Sequence, residues 1–544
     1  MFARIKKSGK YQYLQIVENR KEKGKVKQRV IATIGRLDRM QAKGRVETLI
    51  RSLSRFSERT MMILTGKSDV SAEAVKIGPP IIFERLWKET GIGKAIKGLL
   101  QNRRFEFDVE RAIFLTVLHR LMVSGSDRFC ERWRRDYLLE GTEDLDLHHL
   151  YRAMTFLGEE LKDQEDATPF TPRCNKDLIE ESIFFDQRDM FSSLDLVFFD
   201  TTSIYFEGQG GETIGKRGFS KDHRPDLNQM VVGAIIDDKG KPVCCEMWPG
   251  NTTDVKTLTP VIDRVRNRFG IKRFCVVADR GMISADTIEE LETRNISYIL
   301  GARLRRVKEI KSDVLSRGGR YSEVYPEGLT SKDPSPLKVK EVLHNEKRYI
   351  VCMNTRQARK DAADREAIIA SLKEQLKKGP KSLVGNKGYR KYLKVDKNSA
   401  HVDTDKVKYE SRFDGKWVLT TNTDLPTEKI ALKYKELWQV ERVFRDVKTM
   451  LHTRPVYHQK DENIRGHVFC SFLALVLRKE LERRLNAVGY VFEWSDIKQD
   501  LKALQQVTIE ENGKRLSIRS ECKGVCGKVF QSVGVAMPPT IKEV

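Results

Sequence analysis

The sequence predicts an α/β protein built on a mixed β-sheet with helices on its faces. Near Leu194 the apolar pattern changes from a helical period to a period of two. Three strand-like runs then follow one another, and after them helix, strand, helix, strand. LDLVFFDTTSIYFE is a buried strand with a polar end, and QMVVGAIIDDKGKPVCCEMWPG is a hairpin turning at Asp238-Lys239-Gly240. TLTPVIDRVRNRFG is a helix, RFCVVADRGM a strand, SADTIEELETRN a capped helix and ISYILGARL a further strand.

The flanking regions divide as follows. Residues 1–60 are basic and β-rich, with YQYLQIVENR and KVKQRVIATIGRL paired around a turn at Glu22 to Lys25. A phosphate-touching hairpin and a plain solvated one both suit this composition. Residues 78–175 are expected to form a helical DNA-binding domain. In it VERAIFLTVLHRLMV stops at Ser124-Gly125-Ser126, and Ser126 can cap DRFCERWRRDYL, which carries Arg128, Arg132, Arg134 and Arg135. Residues 303–416 lose the regular alternation, are dense in Lys and Arg, and read as a β-rich insertion between the sheet segments 190–302 and 417–487. The tail, 488–544, offers only weak strand signals.

Composition narrows the function. Lys and Arg number 100 against 77 Asp and Glu, a formal charge of +23. Such an excess favours a polyanion, because each cation that replaces a condensed counterion on a phosphate gains free energy by ion release. Nine cysteines without a CxxC pair suit reduced thiols in the cytoplasm, with no disulfide framework or zinc ribbon. HVFCSFLALVL is far short of the ~20 apolar residues that span a bilayer, so no membrane partner is expected.

Three acids carry the expected chemistry. Asp200 ends the apolar run LVFF and Asp279 ends RFCVVA, so two strands of one sheet each finish in a hard oxygen ligand suited to Mg²⁺. A single such Asp is as easily a turn residue; the pair is harder to dismiss. The third, Glu441, lies on a run predicted as one long helix, PTEKIALKYKELWQVERVFRDVKTML. Leu437, Val440, Phe444, Val447 and Leu451 form its core stripe, and Tyr434, Trp438, Glu441, Arg445 and Lys448 the neighbouring edge, about 21 Å long. An ordinary solvated edge accounts for the charges but not for Tyr and Trp among them.

The strand order matches the ribonuclease-H-like fold, and the acids resemble those of DDE transposases of bacterial insertion sequences. The likeness is to the cut-and-paste group whose third-acid helix carries a Tyr-Arg-Glu-Lys signature. There the spacing is Tyr, two residues, Arg, three residues, Glu, six residues, Lys. Tyr434, Glu441 and Lys448 fall on it, while Leu437 stands at the Arg position, so Arg442 or Arg445 would have to supply that contact. Asp200 in Asp-Thr-Thr and Asp279 in Asp-Arg-Gly match the first two acids.

The resemblance implies two Mg²⁺ ions, with Mn²⁺ able to substitute, held by Asp200, Asp279 and Glu441. It implies DNA contacts from Tyr434, Lys448, Arg445 and Arg280, and hydroxyls of Thr201 and Thr202 orienting Asp200. It also implies that Trp417, in Lys416-Trp417-Val418-Leu419-Thr420, stacks on a base flipped out near the cut; a core Trp is the alternative. The implied partners are double-stranded DNA, as terminal inverted repeats and target, and a second copy of the chain in a synaptic homodimer, in a bacterial cytoplasm at the nucleoid. The activity implied is cleavage at the repeat ends and joining of 3′-hydroxyls to target DNA, through a hairpin intermediate. A metal-dependent nuclease without strand transfer and a catalytically silent DNA-binding descendant are the competing readings.

Overall fold

The computed structural model describes residues 2–22, 25–42, 45–53, 71–168, 171–187, 196–271, 274–325, 337–377, 391–395, 400–450, 453–511 and 514–543. The chain forms two compact units: Met1–Leu86 with Glu131–Glu143 and Leu481–Val544, and Trp87–Cys130 with Asp144–Glu480.

In the first unit, Phe2–Ser8, Tyr11–Glu22 and Lys25–Arg36 make an antiparallel sheet. The expected turn is present, with Glu22 paired to Lys25 and one strand more than the sequence suggested. The tail contributes Gln505–Glu511, Lys514–Arg519 and Ile541–Glu543, which join Ser71–Lys76 in a second antiparallel sheet. Its alternation is hard to read because most residues of Gln505–Glu511 are half-buried, not alternately buried and exposed.

The second unit holds a nine-stranded mixed sheet. Its strands, numbered along the chain, are β1 (Leu196–Tyr205), β2 (Gln229–Asp237), β3 (Pro242–Pro249), β4 (Cys275–Ala278), β5 (Ser297–Gly301), β6 (Ser322–Val324), β7 (Leu337–His344), β8 (Lys347–Asn354) and β9 (Lys416–Thr421). The order across the sheet is β3-β2-β1-β4-β5-β9-β8-β7-β6. β1, β4 and β5 are parallel to one another and every other pairing is antiparallel. Residues 303–416, expected to stand apart as an insertion, supply β6 to β8 and so widen this sheet. A two-stranded ribbon, Leu393–Val395 with Ala400–Val402, stays outside it.

The helices that concern the sites are α1 (Val109–Met122), α2 (Leu147–Gly158), α3 (Asn175–Gln187), α4 (Leu258–Phe269), α5 (Ala285–Thr293), α6 (Thr427–Lys435), α7 (Trp438–Arg445) and α8 (Asp461–Ala487). Ser126 does cap the short helix after α1, its Oγ accepting the Phe129 N–H at 3.2 Å.

Strand parity decides which residues face which layer. Val197 and Phe199 of β1, Val276 and Ala278 of β4, and Tyr298 and Leu300 of β5 join one buried cluster with Leu258, Val261, Ile262, Val265 and Phe269 of α4 and Leu291 of α5. The intervening residues therefore face the opposite side, where α7 packs over β1 and β2. β1 is buried along nearly its whole length, as expected of a central strand covered on both faces.

The predicted single helix over 426–451 is interrupted. Between α6 and α7 the amides of Leu437, Gln439 and Val440 bond carbonyls three residues back rather than four, and Asp446–Met450 then loosens into a π-turn. A tight turn and a loose one rotate side chains by different angles per residue. The counted edge is thus not straight. The apolar stripe survives, since Leu437, Val440, Phe444 and Val447 are all buried, while Leu451 lies outside the described residues.

Candidate active site

The register sets the two strand-end acids side by side. Phe199 pairs with Ala278, and Ala278 with Leu300. Asp200, Asp279 and Gly301 consequently form a row on the α7 face, with adjacent strands about 4.8 Å apart. Asp279 begins a 3₁₀ turn over Arg280–Met282 in extended conformation, which turns the chain away directly after its carboxylate.

Burial pushes the Asp200 carboxyl up to about 6, with Asp279 and Asp254 adding to the rise and Lys221 and the Thr201 N–H opposing it. That N–H donates to Asp200 Oδ1 at 2.7 Å. The Thr201 hydroxyl does not orient Asp200, contrary to expectation: it donates to Asp254 Oδ1 at 2.7 Å. Lys221 Nζ closes the arrangement, donating to the Thr201 carbonyl at 2.8 Å and Oγ1 at 2.9 Å and pairing with Asp254 Oδ2 at 3.0 Å.

Asp254 and Lys221 were missed by sequence reasoning. Asp254 carries only a weaker form of the signal, since it follows the buried strand β3 after Gly250-Asn251-Thr252-Thr253 and does not end the strand itself. Lys221 lies in the long connection between β1 and β2 and has no such signal.

Tyr434 reaches across the row. Its hydroxyl donates to Asp279 Oδ1 at 3.0 Å, and its ionisation is pushed up by burial and then by that carboxylate. Gly301 makes the crossing possible: a Cβ there would lie 2.3 Å from Tyr434 Oη. Tyr434 therefore holds an acid rather than standing on an open edge.

Lys448 is also engaged. Its Nζ donates to Asp222 Oδ1 at 2.7 Å, and Arg454 pairs with the same oxygen. Burial lowers the Lys448 ammonium from its ordinary value, and the Asp222 pairing works against that.

Glu441 and Arg445 are exposed on α7, and Arg280 is exposed beside Asp279. Glu441 is not brought into a cluster with the Asp pair. Among the described residues, the groups of three possible metal ligands within 4.8 Å of one another are Asp127-His458-His467 and Asp146-His148-His149.

Trp417 lies on the acids' face of the sheet. Leu419 pairs with Gly301, so Trp417, two residues away on β9, shares that side. Its indole Nε1 is buried and has no hydrogen-bond partner among the described residues.

A Transposase DDE domain model matches residues 192–477, over half of the chain, and an IS1634 family transposase N-terminal domain model matches residues 3–69. The chain belongs to the DDE transposase family. The matched DDE segment of this transposase contains Asp200, Asp279 and Glu441, together with β6 to β8. Among solved structures, a cryo-EM piggyBac transposase synaptic complex with hairpin DNA matches 78% of the transposase and 79% of that chain, at 9% identity and a TM-score of 0.38. No curated protein matches its sequence. Among the described residues no helix is long and apolar enough to cross a membrane.

Proposed function

We propose that this transposase cuts DNA at terminal inverted repeats and joins the freed 3′-hydroxyls to target DNA, with Asp200, Asp279 and Glu441 as its catalytic acids. The observation that carries the reading is the in-register pair Asp200 and Asp279 on adjacent parallel strands, with a surplus of negative charge around them. The order β3-β2-β1-β4-β5, with β1, β4 and β5 parallel, supports a ribonuclease-H-like core over residues 190–302 and 417–487. The basic hairpin region 1–60 and the helices of 78–175 are then the end-reading parts. Two ends must be held together for joining, so we take the working form to be a homodimer.

The donor set fits hard divalent cations. Three carboxylates, Asp200, Asp279 and Asp254, are answered by one ammonium, and the strongest upward push on Asp200 is the burial of its charge. Asp200, Asp279 and Glu441 would hold two Mg²⁺, with Mn²⁺ as a substitute. When bound, such ions activate the attacking oxygen and stabilise the leaving 3′-oxygen of the scissile phosphate.

The chain's own groups do the remaining work. The Thr201 N–H holds one Asp200 oxygen and Tyr434 holds one Asp279 oxygen, which restrains both carboxylates. Lys448, Arg445 and Arg280 supply phosphate contacts, Lys448 by exchanging Asp222 for DNA. Trp417 offers an apolar face and an unpaired N–H on the same side of the sheet, which suits a base displaced during hairpin formation.

The test is a gel assay on linear DNA carrying the element's inverted repeats. Mg²⁺-dependent nicking, a hairpin product and strand transfer are expected. Degradation of any DNA without joining would favour a plain nuclease, and binding alone a silent DNA-binding protein. Unaltered cleavage by Glu441→Gln would remove Glu441 from the site.

A further inference from the structure

A second group of ligands lies in the same unit but on other elements. Asp127 opens the short helix after α1, His458 sits in the segment leading into α8, and His467 lies on α8 itself. Their ligand atoms all fall within 4.8 Å of one another. They border a cleft of about 860 Å³ that Ser126, Tyr151, Arg152 and Asn463 also line.

The spacing suits a four-coordinate metal. Zn²⁺ binds nitrogen and oxygen ligands at about 2.0–2.1 Å, so ligands at the corners of a tetrahedron stand roughly 3.3 Å apart. His458 Nε2 is 3.2 Å from His467 Nδ1 and 3.5 Å from an Asp127 carboxylate oxygen, Oδ2.

The surroundings supply what ligands require. His467 Nε2 lies 3.2 Å from the Thr453 carbonyl, which can only accept, and 3.4 Å from Arg120 Nη1, which can only donate. The nearer carbonyl, together with the shorter Arg120 contact at Nδ1, favours the ring proton on Nε2 and leaves the Nδ1 lone pair on the side of His458. The other Asp127 oxygen, Oδ1, faces the Arg120 guanidinium at 3.6 Å, leaving Oδ2 for a metal. Without a metal, Arg120 also donates to His467 Nδ1 at 3.0 Å; on binding it would give up that bond and keep the Ser471 hydroxyl, 3.0 Å away. The cleft leaves the fourth position to water.

We propose that Asp127, His458 and His467 form a binding site for a divalent transition metal of the Zn²⁺ class, separate from the acid pair on the sheet. Two imidazoles and one carboxylate select such a metal over Mg²⁺, which prefers an all-oxygen shell. Bound there, it ties the segment carrying Arg454 and His458 to the turn after α1. Arg454 pairs with the acid that holds Lys448, so the site bears on the conformation of that lysine.

The full-length protein, stripped with a chelator and dialysed against Zn²⁺, tests this by elemental analysis, with Co²⁺ as a spectroscopic probe. About one Zn²⁺ per chain is expected, retained by Asp279→Asn and bound at least tenfold more weakly by His458→Gln. Co²⁺ in the wild type should give the visible bands of low-coordinate nitrogen and oxygen ligation. His458 is in a loop and partly exposed, so the Gln variant disturbs packing least, and circular dichroism checks its fold. No Zn²⁺ uptake, uptake lost in Asp279→Asn but kept in His458→Gln, or a Co²⁺ spectrum of six-coordinate ions alone would overturn the proposal.

Discussion

Two charged regions within the sheet-bearing unit differ in one respect. Beneath the α4 face, Lys176, Arg264 and Arg268 meet Asp177, Glu180 and Glu246 on α3, α4 and β3, all but shut off from solvent. In the fully buried part three positive charges face three negative ones, with contacts such as Arg268 to Glu180 at 2.6 Å and Lys176 to Asp177 at 2.7 Å, and at its edge Arg268 and Arg173 share Glu181. Burial alone would raise Asp177, yet Arg268, Lys176 and Arg264 hold it well below the ordinary carboxylate range. On the opposite face, the carboxylates of Asp200, Asp279 and Asp254 have Lys221 as their one partly buried counter-charge among the described residues, with Arg280 exposed beside Asp279. A balanced buried cluster can only lose by change, because each partner removed strands another charge. An unbalanced one is completed by something the chain does not supply. Imbalance, more than burial, separates the site from the scaffold.

The comparison can be broken most severely at Arg268. Arg268→Met leaves Asp177, Glu180 and Glu246 short of a cation, and a loss of about 3–5 kcal/mol of stability is expected in chemical denaturation. Cleavage per folded molecule should be unchanged; a parallel loss of both would place this cluster in the catalytic machinery. Asp279→Asn should do the reverse. Cleavage is expected to fall by about 10²–10³-fold, the scale of removing one preorganised electrostatic group, with little change in melting temperature.

Asp200→Asn sharpens the contrast by stabilising the protein. With its carboxyl raised from 3.8 to about 6, Asp200 contributes stability that is fully present below the ordinary value and lost as pH rises through about 6. In metal-free protein the Asn variant should therefore be the more stable at pH 8, by about 3 kcal/mol, with the difference gone near pH 4. Thermal melts at the two pH values decide it, and equal melting at both would mean that Asp200 is not strained by its burial.

Much of this was legible in the sequence because it is local. The apolar runs ending at Asp200 and Asp279, the Ser126 cap and the Glu22–Lys25 turn each depend on a few neighbouring residues. What escaped depends on partners far along the chain. Thr201 looks like a neighbour for Asp200, but its hydroxyl turns to Asp254, 53 residues away. Lys176 carries no local sign of burial, yet it is almost wholly buried, with a partner on β3. The break between α6 and α7 has no proline or glycine to announce it, so Tyr434 and Glu441 were placed on one edge that the backbone does not keep. β6 to β8 were set apart because their Lys and Arg content hid the pairing that joins β8 to β9.

The smallest expected effect is also the most discriminating. Lys221 opposes the rise of the Asp200 carboxyl and at the same time ties Thr201 to Asp254. Lys221→Gln removes the charge, so Asp200 should hold its proton to higher pH and compete less well for a divalent ion in mildly acidic buffer. The Mg²⁺ concentration needed for half-maximal cleavage should rise about 3- to 10-fold near pH 6.5. Near pH 8.5, where Asp200 is ionised in either protein, the variant should need no more Mg²⁺ than the wild type, because one repelling cation has gone. A crossing of the two curves with pH marks Lys221 as the counter-charge of an unbalanced site. A loss of the same size at every pH would mark it as a strut holding Thr201 and Asp254, and would make this region resemble the balanced cluster more than the charge count implies.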